Sequence, residues 1–165
     1  MGDVAGAVGA EFSDLSAVQA AQLAVRLVVA GVIGGFLGWQ RGHAGKAAGL
    51  RTHVLVAVGS AAFVAVPVQA GMASDGVSRI LQGLVTGIGF LGAGCILKRD
   101  NEGNVLGLTT AAGLWFTAGV GVAAGMGREV SALILGAVGY FTLSTLTRWD
   151  PKPEAPPDAN RHIQV

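Results

Sequence analysis

The chain has 165 residues, of which 52% are hydrophobic and only 13% are charged, and its formal net charge is +1. Soluble domains carry about 25% charged residues, so this composition excludes a disordered chain and argues against a soluble enzyme domain. The small net charge gives no sign of a nucleic-acid partner, and one cysteine, Cys95, excludes an internal disulfide framework or a cysteine-based zinc site.

Residues 1–20 are predicted to form an extracytoplasmic N-terminal segment. They contain acidic residues but no lysine or arginine, so they lack the basic start of a secretory signal. Phe12, Leu15 and Val18 follow at helical spacing. This spacing fits either a helix lying in the membrane interface or a continuation of the first membrane span.

Long apolar segments fill the rest of the chain as far as residue 147. A membrane-spanning helix needs about 20 mostly apolar residues. Five segments meet this requirement, namely 21–39, 52–71, 80–97, 105–125 and 130–147. We therefore predict an all-α fold, a polytopic membrane helical bundle of five transmembrane helices over residues 21–147. Residues 148–165 contain four prolines among charged residues and are predicted to form an extended cytoplasmic tail.

The lysines and arginines outside the spans predict the orientation of the bundle. With five spans, two of these residues fall on one side of the membrane and eight on the other. Basic residues accumulate in cytoplasmic loops. The distribution therefore places the N-terminus outside and the C-terminus inside the cell.

Glycine is the most conspicuous residue of the predicted spans, because glycines three or four residues apart let two helices approach closely. The third span concentrates them in one run, Gly87, Gly89, Gly92 and Gly94. Close helix packing is the simpler interpretation. The alternative interpretation is that the run bends or opens the helix and forms a functional element, because each glycine weakens a helix by up to about 1 kcal/mol.

No aspartate or glutamate lies within the five predicted spans. Ion-coupled transporters commonly use buried carboxylates, and Mg²⁺ prefers them as ligands, so we expect no carboxylate-lined cation path and no metal site. Arg26, Arg51 and Arg79 lie at span boundaries. They act either as interfacial anchors or in contacts between helices or with lipid headgroups. Asp75 is predicted on the same side as Arg26 and Arg79 and would neutralise one of them.

The other polar residues of the spans do not form a recognisable catalytic site. Threonines such as Thr109 and Thr110 usually bond to their own helix, although they would line a solute path in a channel, and Trp115 is expected to be a packing residue. The histidines have no metal-ligand partner at useful spacing. No catalytic triad or nucleotide-binding fingerprint is present, so we expect no enzymatic activity and no cofactor.

Three segments in series resemble the MgtC/SapB family of bacterial membrane proteins. The first joins Arg26 to Gly38-Trp39-Gln40-Arg41 and then to Gly49-Leu50-Arg51-Thr52-His53. The second is Ser78-Arg79-Ile80 followed by the run from Gly87 to Gly94. The third is Gly107-Leu108-Thr109-Thr110-Ala111-Ala112, followed by Trp115. Family members often have Glu-Arg where this chain has Gln40-Arg41, and the virulence-linked member has a further soluble C-terminal domain.

The resemblance implies a multi-pass protein of the bacterial inner membrane, linked to growth at low Mg²⁺ and, through the virulence-linked member, to the F-type ATP synthase. Two hypotheses follow. In the first, the chain is a regulator that acts through helix contacts with a membrane partner. In the second, it is a small channel or transporter whose glycine-rich third helix exposes backbone groups to a solute. Glycine-rich helix faces also make a homo-oligomer plausible.

Overall fold

The computed structural model describes residues 2–11, 15–44, 46–98 and 105–146. This part of the chain is almost entirely helical. The elements in order are α1 (Gly2–Glu11), α2 (Ala17–His43), α3 (Leu50–Gln69), α4 (Ser74–Gly94), β1 (Leu97–Lys98), β2 (Val105–Leu106), α5 (Leu108–Gly125) and α6 (Glu129–Thr145). The strands β1 and β2 pair antiparallel and join the end of α4 to the start of α5.

Helices α2 to α6 coincide with the five segments that the sequence predicts as spans. Among the described helices, α2, α3, α4 and α5 are long and apolar enough to cross a membrane, whereas α6 is apolar but has 17 residues. A bundle of this kind is a multi-pass membrane protein. The count of five spans and their orientation stay predictions.

The sequence misplaced the boundary between the third and fourth spans. The predicted third span extends to Leu97 and the fourth begins at Val105, but both residues belong to the β1–β2 hairpin. Gly107 has a φ of 91°, a left-handed conformation that glycine adopts without strain and that interrupts a helix. Helix α5 therefore begins only after Gly107.

A capping box fixes the start of α2. The Ser16 hydroxyl accepts a hydrogen bond from the Gln19 backbone N–H at 3.2 Å, and the Gln19 side chain accepts one from the Ser16 backbone N–H at 3.0 Å. These bonds satisfy backbone donors that have no partner within the first turn. Val18 therefore belongs to α2, Leu15 precedes it, and Phe12 lies outside the described residues.

Helix α3 lies at the centre of the bundle, between α2 and α5. Helix α6 covers α2 and α5 on one side, while α4 leans mainly against α5 at the periphery. The buried core consists largely of small residues, which bring the helix backbones close together. Its members are Ala30, Ile33, Leu37, Ala57, Ala61, Val120, Ala124, Ala132 and Leu143.

Glycines of α2 and α5 set the spacing of the central helices. A Cβ on Gly34 would lie 2.6 Å from the Ala57 Cβ, and one on Gly38 would lie 2.8 Å from the Gly49 carbonyl oxygen. On the other side of α3, a Cβ on Gly121 would collide with the Ala57 carbonyl oxygen. Close packing through glycine, which the sequence predicts, is therefore found where α3 meets α2 and α5.

The glycine run of α4 behaves differently from both sequence interpretations. Helix α4 continues without a break as far as Gly94, so the helix does not open at the glycine run. Of the four glycines in the run, Gly92 alone has a close neighbour among the described residues, because a Cβ added there would lie 3.5 Å from the Ala111 Cβ. A Cβ on Gly87, Gly89 or Gly94 would meet no atom within 4 Å.

Candidate functional site

Three residues of the family-like motifs, Arg41, His53 and Thr110, lie at the end of the bundle where α2 ends and α3 and α5 begin. Arg41 lies in the last turn of α2 with only 2% of its surface exposed. Its Nη2 donates to the Thr110 Oγ1 at 3.1 Å. No described acidic residue pairs with this guanidinium, and its Nε has no partner among the described residues. The last turn of a helix carries partial negative charge, which stabilises a cation there.

His53 completes this buried polar group, which we call the Arg41 cluster (Arg41, His53 and Thr110). It lies in the first turn of α3 and is fully buried. Its Nδ1 lies 3.0 Å from the Gly49 carbonyl oxygen. A carbonyl oxygen only accepts hydrogen bonds, so Nδ1 carries the proton. The Nε2 then faces α5 near Gly113 without a partner among the described residues.

Gln40 ties the same end of the bundle to α6. Its Nε2 donates to the Leu143 carbonyl oxygen at 3.1 Å, near the end of α6. In the sequence, Gln40 and His53 are named within the first motif segment, but neither is assigned a role. The signal that could have identified both is their position within the motif strings.

Arg26 performs a related task at the opposite end of the bundle. Its Nη1 donates to the Gly125 carbonyl oxygen at 3.2 Å, which caps the last turn of α5. Gln69 at the end of α3 donates to the Gln19 carbonyl oxygen at 2.9 Å. Arg26 of α2 therefore contacts α5, which is one of the roles considered for this arginine from the sequence.

Arg79 and Asp75 form the ion pair that the sequence suggested, with the Arg79 Nη2 lying 3.2 Å from the Asp75 Oδ2. Both side chains are more than two thirds exposed, at 77% and 72%, so this pair contributes little to stability. It belongs to the first turns of α4 and lies apart from the Arg41 cluster.

The remaining candidate residues are distributed around the cluster. Gly49 precedes α3 and accepts the bond from His53. Arg51 and Thr109 are exposed, and Thr52 is half-buried. Trp115 is 53% exposed and lines a groove between α4 and α5. Trp115 therefore packs at the edge of the bundle and not in its buried core.

The chemistry of the Arg41 cluster is that of a buried cation with hydrogen-bonding neighbours. Among the described residues, no group of three histidine, cysteine or acidic side chains is placed to hold a metal ion. An uncompensated positive charge also repels Mg²⁺ in a medium of low dielectric constant. Its hydrogen bond between Arg41 and Thr110 joins α2 to α5.

Comparison with known proteins gives several related membrane proteins. The chain is 44% identical over 137 residues to protein SrpB of Synechococcus elongatus, covering 76% of this chain and 73% of SrpB. It is 46% identical over 115 residues to the putative magnesium transporter YhiD of Escherichia coli K12, covering 65% of this chain and 52% of YhiD. With protein MgtC of Salmonella typhimurium the identity is 44% over 109 residues, covering 66% of this chain and 46% of MgtC.

The matched region of this chain thus spans about half the length of YhiD and MgtC. No solved structure matches the chain. The MgtC family matches residues 27–151, a range that contains the Arg41 cluster and helices α3 to α6 in full. The chain therefore belongs to the MgtC family.

Proposed function

We propose that this chain is a non-enzymatic protein of the bacterial inner membrane that supports growth under Mg²⁺ limitation by contacting a membrane protein. The observation that carries the proposal is the charge of the Arg41 cluster. The guanidinium is buried between α2 and α5, its described partner is a threonine hydroxyl, and no described carboxylate lies beside it. Mg²⁺ binds carboxylate and water oxygens, so this bundle interior suits a structural role better than a cation path.

The contact with a partner would use the outer helix faces. Gly34, Gly38 and Gly121 of the central helices are in close contact with neighbouring helices, whereas Gly89 and Gly94 of α4 have open space around them. Small residues permit close approach of another membrane helix. The F-type ATP synthase is the partner that the family resemblance suggests, and it is a proposal for this chain.

Growth of a deletion strain across a series of Mg²⁺ concentrations tests the link to Mg²⁺. We expect a growth defect only at low Mg²⁺, rescued by expression of the whole chain. We expect the Thr110→Val variant to accumulate to a lower level in the membrane, and to restore growth at low Mg²⁺ in proportion to that level. Normal growth of the deletion strain at every concentration would remove the Mg²⁺ link.

Liposomes that contain only this chain and a Mg²⁺-sensitive dye test the proposed absence of transport. We expect the dye signal to match that of empty liposomes when a Mg²⁺ gradient is applied, with a known Mg²⁺ channel as the positive control. Saturable Mg²⁺ entry would instead support a transporter.

A transporter is the second candidate function, because the relative YhiD is named a putative magnesium transporter. In the sequence-based version of this hypothesis, the glycine-rich third helix opens its backbone to a solute. The unbroken helix α4 does not supply such an opening. A transport route would therefore need another element, and Arg41→Met should increase Mg²⁺ entry if the route passes the Arg41 cluster.

A further inference from the structure

Helix α4 has two opposite faces, and only one of them contacts other helices among the described residues. Leu84 and Ile88 line the grooves toward α3 and α5. The opposite face carries Ser78, Gln82 and Thr86, spaced four residues apart and all exposed. Residues at this spacing lie on one row of a helix. Helix α4 is therefore an amphipathic membrane helix whose polar face points away from its own bundle.

Gln82 lies well inside the membrane-spanning length of α4. It is the ninth residue of a helix of 21 residues, so about 12 Å of helix precede it and about 18 Å follow it. The Asp75–Arg79 pair lies closer to the start of the helix, where charged groups reach the membrane surface. At the depth of Gln82, lipid chains offer no partner for a polar group.

The amide of Gln82 needs such a partner, whereas the Thr86 hydroxyl does not. Thr86 donates to the Gln82 backbone carbonyl oxygen at 2.9 Å, the usual way in which a threonine is accommodated in a membrane helix. The side-chain amide of Gln82 makes no hydrogen bond with any described residue. A side-chain amide has two donors and an acceptor oxygen, and polar side chains inside membranes face protein or water rather than lipid.

We propose that the row Ser78, Gln82, Thr86 and Phe90, here called the α4 polar face, binds the same face of a second copy of this chain. Copies inserted in the same orientation are related by a two-fold axis along the membrane normal. Such an axis places each residue of the helix beside its own counterpart. Because an amide both donates and accepts, Gln82 is complementary to Gln82 of the second copy.

Other features of α4 fit the same arrangement. Phe90, which is 85% exposed, continues the row and adds apolar area to the contact. Gly89 lies beside it, and a Cβ on Gly89 would meet no atom within 4 Å, so a second helix backbone can approach closely. Each Arg79 is already paired with Asp75 of its own helix, which reduces repulsion between the two copies.

This self-association does not depend on whether the chain regulates a partner or carries a solute. It concerns the assembly in which either function takes place. A different membrane protein on the α4 polar face is the competing outcome, and the experiment below separates the two occupants by the mass of the cross-linked product.

Disulfide cross-linking in native membranes tests the proposal. In the full chain with Cys95→Ser, single cysteines replace Ser78, Gln82 or Thr86 on the polar face, or Ile80 or Leu84 on the opposite face. Leu133→Cys on α6, at a position 58% exposed, reports random collisions. We expect mild oxidation to give a product of twice the chain mass at positions 78, 82 and 86, several-fold above positions 80, 84 and 133, because a disulfide requires closely spaced Cα atoms.

A second measurement does not rely on cysteines. In lipid nanodiscs or supported bilayers, single-molecule photobleaching should count two labelled copies per complex for the unsubstituted chain. Gln82→Leu should raise the dissociation constant by roughly three- to thirty-fold, the range expected for one or two hydrogen bonds between membrane helices, while Leu133→Ala should leave it unchanged.

Three results would overturn the proposal. Cross-linking without preference for positions 78, 82 and 86 would show that the copies collide at random. A product at position 82 whose mass differs from two copies would assign the face to another protein. Photobleaching in single steps at every protein density tested would show that the chain is monomeric.

Discussion

A guanidinium enclosed by membrane helices must keep its hydrogen bonds, because an unpaired buried charge is far more costly than an unpaired neutral group. Arg41 makes one such bond, to Thr110, and lies at the carbonyl end of α2, while its Nε has no partner among the described residues. This bond joins α2 to α5, and the buried His53 bonds to Gly49 at the start of its own helix α3. The residues of the motif strings are therefore a tie between helices, which explains why they lie far apart in the chain.

The bond between Arg41 and Thr110 gives a direct test at the residue scale. Thr110→Val keeps the size of the side chain but removes the hydroxyl that accepts from the guanidinium. Since hydrogen bonds to charged groups contribute about 1.5–3 kcal/mol, we expect the free energy of unfolding in mild detergent to fall by about that amount. The neighbouring Thr109 is exposed, so Thr109→Val is the matched control and should change it by less than about 0.5 kcal/mol. Equal effects of the two substitutions would contradict the assigned role of Thr110.

At the scale of the elements, the bundle has one tightly packed centre and one loosely held helix. Helix α3 contacts α2 and α5 through glycines that leave no room for a side chain, whereas the glycines of α4 are mostly open. The same residue type therefore has two roles in one chain. Position relative to α3 decides which role a glycine has, and the spacing of glycines in the sequence does not.

Two glycines of α5, only two positions apart, separate these roles. A methyl group on Gly121 would collide with the Ala57 carbonyl oxygen, while one on Gly119 would meet no atom within 4 Å. We expect Gly121→Ala to lower the free energy of unfolding by about 1–3 kcal/mol, as overpacking does. Gly119→Ala should be neutral or stabilising by up to about 1 kcal/mol, because alanine favours helices. Thermal unfolding of both variants in the same detergent measures the difference, and a more stable Gly121→Ala variant would refute the tight contact.

Hydropathy and glycine spacing predict the helical segments well, because each property is local to a stretch of about 20 residues. The pairing of Asp75 with Arg79 follows from their spacing of four residues on one helix. The contact of Arg41 with Thr110 joins residues 69 positions apart, so it depends on how the helices pack and was not predicted. The β1–β2 hairpin was missed because its apolar residues extend the adjoining apolar segments.

At the scale of the whole molecule, the two ends of the bundle are closed by different contacts. The Arg41 cluster and Gln40 join the helices at one end, and Arg26 and Gln69 join them at the other. Both ends are tied by polar side chains bonded to a hydroxyl or to backbone carbonyl groups, which is the form that polar contacts take where lipid excludes water. The distribution of lysine and arginine predicts that the Arg41 end faces the cytoplasm.

Cysteine labelling tests this orientation and the number of spans together. In a Cys95→Ser chain, single cysteines replace Ala44 between α2 and α3, Met72 between α3 and α4, Met126 between α5 and α6, or Leu146 after α6, all exposed positions. We expect a thiol reagent that cannot cross the membrane to label positions 72 and 126 in intact spheroplasts, because the basic loops keep the other end inside. Positions 44 and 146 should react only after the membrane is permeabilised. Labelling of 146 together with 126 would mean that α6, with its 17 residues, does not cross the membrane, and labelling of 44 without 72 would reverse the predicted orientation.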